Sequence, residues 1–191
     1  MDRVLIVSGT EKSGRAFAQF LTSHGLNMPA EFAQTADDAR RRAVQHAFRL
    51  ILINAPLPDE FGHVLARDLA QKVPAGIVLA AKVDLYDRVC TRVAGSGVLV
   101  AVKPLNPMFF YQCICTSMML CDRVQALQRE NRRLQGQIHE AQVIGRAKCA
   151  LVQYRHLTEE EAHHFIEKQA MDSRLPKIEV AEDILQTYEG L

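Results

Sequence analysis

The sequence predicts an α/β fold: a doubly wound, five-stranded parallel sheet domain, then a long coiled-coil helix and a small three-helix C-terminal bundle. Three observations predict it. Short continuous apolar runs alternate with amphipathic stretches up to about residue 120, a four-three repeat opens near Met118, and capped helix signals follow Gly145.

Val4-Leu5-Ile6-Val7 reads as a buried strand, followed by a helix from about Ser13 to Leu21. A weaker strand covers Ala30 to Gln34, with a helix from about Thr35 to His46 behind it. Leu50-Ile51-Leu52-Ile53 is a second clear buried strand, and the Pro56 and Pro58 loop follows it. A helix from Gly62 to Lys72 precedes the strand Ile77-Val78-Leu79, and one near Leu85 to Ala94 precedes Val98-Leu99-Val100-Ala101-Val102. Strands that are apolar throughout, rather than alternately, are covered on both faces. That is the mark of a parallel sheet with helical crossovers.

Composition narrows the function classes. The 191 residues are 48% hydrophobic and 24% charged, which suits folded domains with their own cores and argues against wholesale disorder. A net charge of +1 supplies no global attraction to nucleic acid or membrane, so binding to an acidic polymer has to come from a local patch. The cysteines (Cys90, Cys113, Cys115, Cys121, Cys149) form no CxxC pair and no cluster with metal-ligand spacing. Free thiols, no bound metal and no cofactor are the expectation. The opening Met1-Asp2-Arg3-Val4-Leu5-Ile6-Val7 lacks the long apolar run of a signal peptide. No apolar stretch approaches the roughly 20 residues that span a bilayer, so a cytoplasmic location without membrane attachment is expected.

Leu120, Val124, Leu127, Asn131, Leu134, Ile138 and Ala141 recur at alternating spacings of four and three. With Leu120, Leu127, Leu134 and Ala141 at d, the a positions are Val124, Asn131 and Ile138. Leucine at d, β-branched residues at a and one buried asparagine favour a parallel two-stranded coiled coil whose Asn131 pairs with its twin and fixes register. Residues 118–145 are therefore expected to make the chain a homodimer. An amphipathic helix packed on its own domain is the alternative.

Beyond Gly145, Thr158-Glu159-Glu160-Glu161 has the pattern of a capping box, and its acids sit at the positive end of the helix dipole. Ala162, Phe165, Ile166, Gln169 and Ala170 give that helix its inner face. A last helix opens at Pro176 and buries Ile178, Ala181, Ile184 and Leu185.

The loop Asn54-Ala55-Pro56-Leu57-Pro58-Asp59-Glu60-Phe61-Gly62 after the third strand and Val102-Lys103-Pro104 after the fifth carry a resemblance to the receiver domain of two-component response regulators, covering residues 1–120. That resemblance implies an aspartate nucleophile, an acidic pair for Mg²⁺, a hydroxyl residue and a lysine. Here the nucleophile position holds Asn54, the acidic pair is Ser8 and Gly9, the hydroxyl position is Ala80 and the aromatic position is Val100. Lys103 alone matches. A neutral amide cannot form the acyl phosphate, and Ser8-Gly9 leaves almost no hard-oxygen charge for Mg²⁺. The module is expected to be a phosphorylation-independent pseudo-receiver, with control from a regulatory protein or a small ligand docked on it. A different alignment of the first loop instead supplies a carboxylate from Glu11 or Asp59. Lys103 is expected as a structural amine bonded to Asn54, with a small anion among Ser8, Asn54 and Lys103 as the alternative.

The tail resembles the ANTAR domain of transcription antitermination regulators over residues 130–191. The residues that carry this are Ala147-Lys148-Cys149-Ala150-Leu151, Leu157-Thr158-Glu159-Glu160-Glu161-Ala162, Gln169-Ala170-Met171 and Ile178-Glu179-Val180-Ala181-Glu182-Asp183-Ile184-Leu185. The resemblance implies paired RNA stem-loops overlapping a terminator as the target, bound by a dimer. Cys149 stands where the family usually has glycine, a thiol that would tighten local helix packing. From Asp122 onward, ten lysines and arginines face twelve acids, so RNA binding requires a segregated basic face. Arg146, Lys148 and Arg155 are candidates around the first turn, and Lys168, Arg174 and Lys177 flank the second. Tyr154 and His156 offer rings between them for base stacking, although Tyr154 reads equally as a core-edge ring.

Two other classes stay open. A protein-interaction adaptor without RNA affinity fits the acidic balance of the tail. An enzyme of the flavodoxin-like class fits poorly: Ser8-Gly9-Thr10-Glu11-Lys12-Ser13-Gly14 has no Walker pattern, and no nucleophile–base pairing stands out. No helix-turn-helix for DNA is recognisable.

Overall fold

The computed structural model describes residues 3–189. The chain divides into two compact units, Met1–Ala126 and Leu127–Leu191.

The first unit is a five-stranded, all-parallel sheet in the order β2-β1-β3-β4-β5. Its strands are β1 (Val4–Ser8), β2 (Ala30–Ala33), β3 (Leu50–Asn54), β4 (Gly76–Lys82) and β5 (Leu99–Lys103). Its helices are α1 (Glu11–Ser23), α2 (Ala36–Gln45), α3 (His63–Lys72) and α4 (Tyr86–Val93), and the first part of α5 (Pro107–Arg155). Successive side chains in a strand face opposite ways, and the apolar runs fill both sides accordingly. Leu5, Val7, Ile51, Ile53 and Leu79 pack with Ala39 of α2, Leu65 of α3 and Val89 of α4. Val4, Ile6, Leu50, Leu52 and Val78 pack with Phe17 and Leu21 of α1 and Phe110 and Ile114 of α5.

The predicted strands and helices all form, with shifted ends. β4 extends well past the expected Ile77-Val78-Leu79 because Gly76, Ala80 and Ala81 continue it, buried but too small to register as an apolar run. Thr10 and Thr35 cap α1 and α2. α2 also receives a cap from far along the chain: both carboxylate oxygens of Asp59 accept backbone N–H groups, from Ala36 at 3.0 Å and from Asp37 at 3.2 Å.

α5 runs for 49 residues and is unbroken at Gly136 and Gly145. All of residues 126–142 are exposed. On the predicted seam, Leu120, Val124, Leu127, Leu134 and Ile138 are 45%, 51%, 62%, 45% and 59% exposed, an open apolar stripe. No helix among the described residues is long and apolar enough to cross a membrane.

The second unit packs the end of α5 with α6 (Glu159–Ser173) and α7 (Lys177–Glu189) around Leu151, Ile166, Val180, Ile184 and Leu185. Ala147, Ala162 and Ala181, one from each helix, have no exposed surface, and their small side chains let the helices approach closely. The capping box of α6 is complete: Glu161 N–H donates to Thr158 Oγ1 at 3.2 Å and Thr158 N–H to Glu161 Oε2 at 2.8 Å. The Thr158 backbone N–H first, and then its hydroxyl, hold the Glu161 carboxyl below its ordinary range.

Candidate functional site

In an open α/β sheet the ligand crevice lies beyond the carboxyl ends of the strands, where the strand order reverses. Here that point is between β1 and β3, and it brings the residues read from the sequence together. Ser8 and Asn54 are register partners, and Ala80 is the partner of Asn54 on β4. Asn54 Nδ2 donates to Ser8 Oγ at 3.1 Å. Lys103 does not bond to Asn54; its ammonium donates to the Ala55 carbonyl at 2.5 Å. Burial, and after it the charge of Lys82, pushes the Lys103 amine below its ordinary range.

Two further features close this end of the sheet. A Cβ at Gly9 would lie 3.1 Å from Pro58 Cδ, so a carboxylate at that position requires the Pro58 loop to move. Of the two alternative carboxylates, Asp59 is taken up in capping α2, and Glu11 pairs with Arg15 on the exposed face of α1. Asp59 is held below the usual carboxylate range, chiefly by the Ala36 N–H. Among the described residues, no group of three His, Cys, Asp or Glu is placed to hold a metal. The crevice offers an amide, a hydroxyl and an amine already engaged with one another or with the backbone.

In the second unit the candidate RNA contacts are spread along α6, one group meeting it from Glu159 to Phe165 and the other from Glu167 to its C-cap Arg174. In the first group, Lys148 Nζ pairs with Glu159 at 2.8 Å. Tyr154 stacks on Tyr188 of α7, ring centroids 5.3 Å apart and planes within 9°, while remaining 48% exposed. Arg155 donates to Tyr188 Oη at 2.7 Å and lies over the Phe165 ring at 5.1 Å. His156 ends α5 in the left-handed region, at φ 57°. Arg146 is exposed, and two residues before Lys148 on a helix puts it on a different face. In the second group, Lys177 pairs with Glu167 at 2.6 Å, which holds that carboxyl below its ordinary range, while Lys168 is exposed. Arg174, also exposed, ends α6 in the left-handed region at φ 56°. Cys149 is exposed rather than packed between helices, so it does not tighten them.

Tyr188 was not singled out by the sequence, and Phe165 and Glu159 were read there only as an inner-face residue and a capping-box acid. Arg155 and Tyr188 are 33 residues apart. No local spacing announces such a pairing; only the antiparallel return of α7 brings them together.

Comparison with known proteins fits this layout. Residues 132–185 match the ANTAR domain model. Transcriptional regulatory protein PdtaR of Mycobacterium tuberculosis is 27% identical over 186 residues, spanning 97% of this chain and 90% of that protein. The fold also matches a CheY-like response regulator receiver domain protein from Methanospirillum hungatei, with a TM-score of 0.54 and 20% identity over 64% of this chain and 98% of that one. A two component transcriptional regulator AraC from Clostridium phytofermentans aligns with a TM-score of 0.59 and 16% identity, over 66% of this chain and 99% of that one. At those identities the likeness is one of fold.

Proposed function

We propose that this chain, which carries an ANTAR domain behind a domain of receiver fold, is a non-enzymatic transcription regulator that binds structured RNA as a homodimer. The sheet domain exerts control without phosphorylation. The observation that carries the RNA reading is the Tyr154–Tyr188 stack with Arg155 held beside it: Tyr154, exposed, and Arg155 are inside the matched residues, and Tyr188 lies just past them on the same helix bundle. A flat aromatic face flanked by cations suits splayed bases and their phosphates, with stacking worth about 1–3 kcal/mol per base. Lys148 and Lys177 are paired with glutamates, but surface ion pairs contribute little. A phosphate can take over either lysine at small cost. Dimerisation is supported by the open stripe from Leu120 to Ile138, with Asn131 at a single a position.

Lys148→Glu combined with Arg174→Glu is expected to weaken hairpin RNA binding and to lower the salt slope by roughly 0.7–0.9 per lost phosphate contact. Filter binding across a salt series measures both, and unchanged affinity and slope retire these two contacts. The acidic balance of the tail favours a second reading, a protein adaptor. Wild-type chain that binds no structured RNA in the same assay supports that reading instead.

Phosphorylation-independence predicts a null result. Asn54→Asp is expected to remain unmodified after acetyl phosphate and Mg²⁺, because Gly9 under Pro58 supplies no metal ligand and Ala80 no hydroxyl. Intact-mass spectrometry reads this directly. A stoichiometric, base-labile phosphoryl adduct on the variant overturns it.

A further inference from the structure

We infer that the cavity between the start of α3 and the inner face of α4 binds a small anion carried on a flat ring, an aryl carboxylate or a nucleoside monophosphate. The inference concerns the sheet domain alone and goes beyond the RNA reading. The cavity measures about 290 Å³ and is lined by Phe61, His63, Leu85, Arg88, Val89 and Arg92. That volume is at the small end for ligand sites, which limits the occupant to about one ring system and one charged group.

The charge arrangement asks for an anion. Arg88 and Arg92 are one turn apart on α4, both exposed. Among the described residues neither forms an ion pair with a carboxylate. Like charges at this spacing destabilise a helix, and two guanidinium forks on one side of a cavity match the oxygens of a carboxylate or phosphate. Glu60, the acid whose charge acts on His63, is already engaged: it accepts from Arg40 at 2.8 Å and from the Leu65 N–H at 2.7 Å.

The apolar lining asks for a ring. Phe61 and His63 meet with centroids 5.6 Å apart, and Leu85 and Val89 line the cavity beside them. His63 Nε2 lies 3.4 Å from Arg92 Nη1. Arginine only donates, so Nε2 accepts and the imidazole proton sits on Nδ1, which is buried without a partner. Burial first, then the charges of Arg92 and Arg67 against the opposing pull of Glu60, lower the imidazole below its ordinary range. The ring is thus neutral at pH 7, and it reports on the site: an anion beside Arg92 relieves that repulsion and raises the His63 pKa.

The test follows the His63 imidazole by NMR in the full chain, without RNA. Adenosine 5′-monophosphate and benzoate are the probes, with adenosine and inorganic phosphate as partial ligands. The expected result is a saturable shift of the His63 resonances and a raised pKa with one of the two probes, which identifies the class. Adenosine and phosphate alone are expected to bind at least about tenfold more weakly. Arg88→Ala with Arg92→Ala, both on the surface, is expected to weaken the response by about tenfold or more while thermal melting stays unchanged. No saturation by either probe at millimolar concentration overturns the inference. So does a response that survives the double substitution, or one that phosphate reproduces at equal affinity.

Discussion

Glutamate at both Leu127 and Leu134 is expected to make the chain monomeric and to lower its affinity for a two-hairpin RNA by about 10²- to 10⁴-fold. Both leucines are at d positions and neither belongs to a buried core of the single chain, so the substitutions leave its folded units intact. In a parallel coiled coil each meets its own twin, and paired carboxylates on a dry seam are repulsive as well as costly to desolvate. The loss in RNA affinity follows from linkage. Two tails held together bind the second hairpin as an intramolecular event, and separated tails bind each hairpin alone. Affinity for a single hairpin is therefore expected to change little. Sedimentation velocity and filter binding on the same preparation check both halves. A monomeric variant with full affinity for the two-hairpin RNA removes the dimer from the mechanism. Asn131→Val is the informative companion: it should strengthen association while loosening register and oligomer state.

Gly76→Ala is expected to destabilise the sheet domain by about 2–3 kcal/mol. A Cβ there would lie 2.8 Å from the Ser117 carbonyl carbon and Oγ and 2.9 Å from the Met118 nitrogen, so α5 backbone itself must shift. Ser117 cannot turn away readily, since it is 2% exposed and its hydroxyl donates to the Ile114 carbonyl at 3.0 Å. Gly9→Ala meets only the Pro58 ring, at 3.1 Å, and should be milder. Urea unfolding of the two variants ranks them; equal midpoints contradict the assignment of Gly76 as the tighter contact.

The sheet was legible because its strands are continuous apolar runs, a signal that survives without any knowledge of neighbours. β4 was underestimated because Gly76, Ala80 and Ala81, though buried, are small, and small residues look neutral in a hydropathy reading. The receiver resemblance set Asn54, Ser8 and Ala80 at one end of the sheet, where they are register partners. The engagement of Lys103 by the Ala55 carbonyl and the closure of Pro58 over Gly9 were not legible, since both depend on the path of the loop after β3. The basic residues of the tail were visible one by one. Their distribution along α6, and the tyrosine stack that accompanies only Arg155, come from the return of α7 and leave no mark in local spacing.

The most direct test is native mass spectrometry of the chain with one-hairpin and two-hairpin RNAs at equal concentration. Two chains on each two-hairpin RNA, formed at concentrations where the single hairpin barely binds, is the expected result. A chain that stays monomeric and ignores both RNAs contradicts the proposed function.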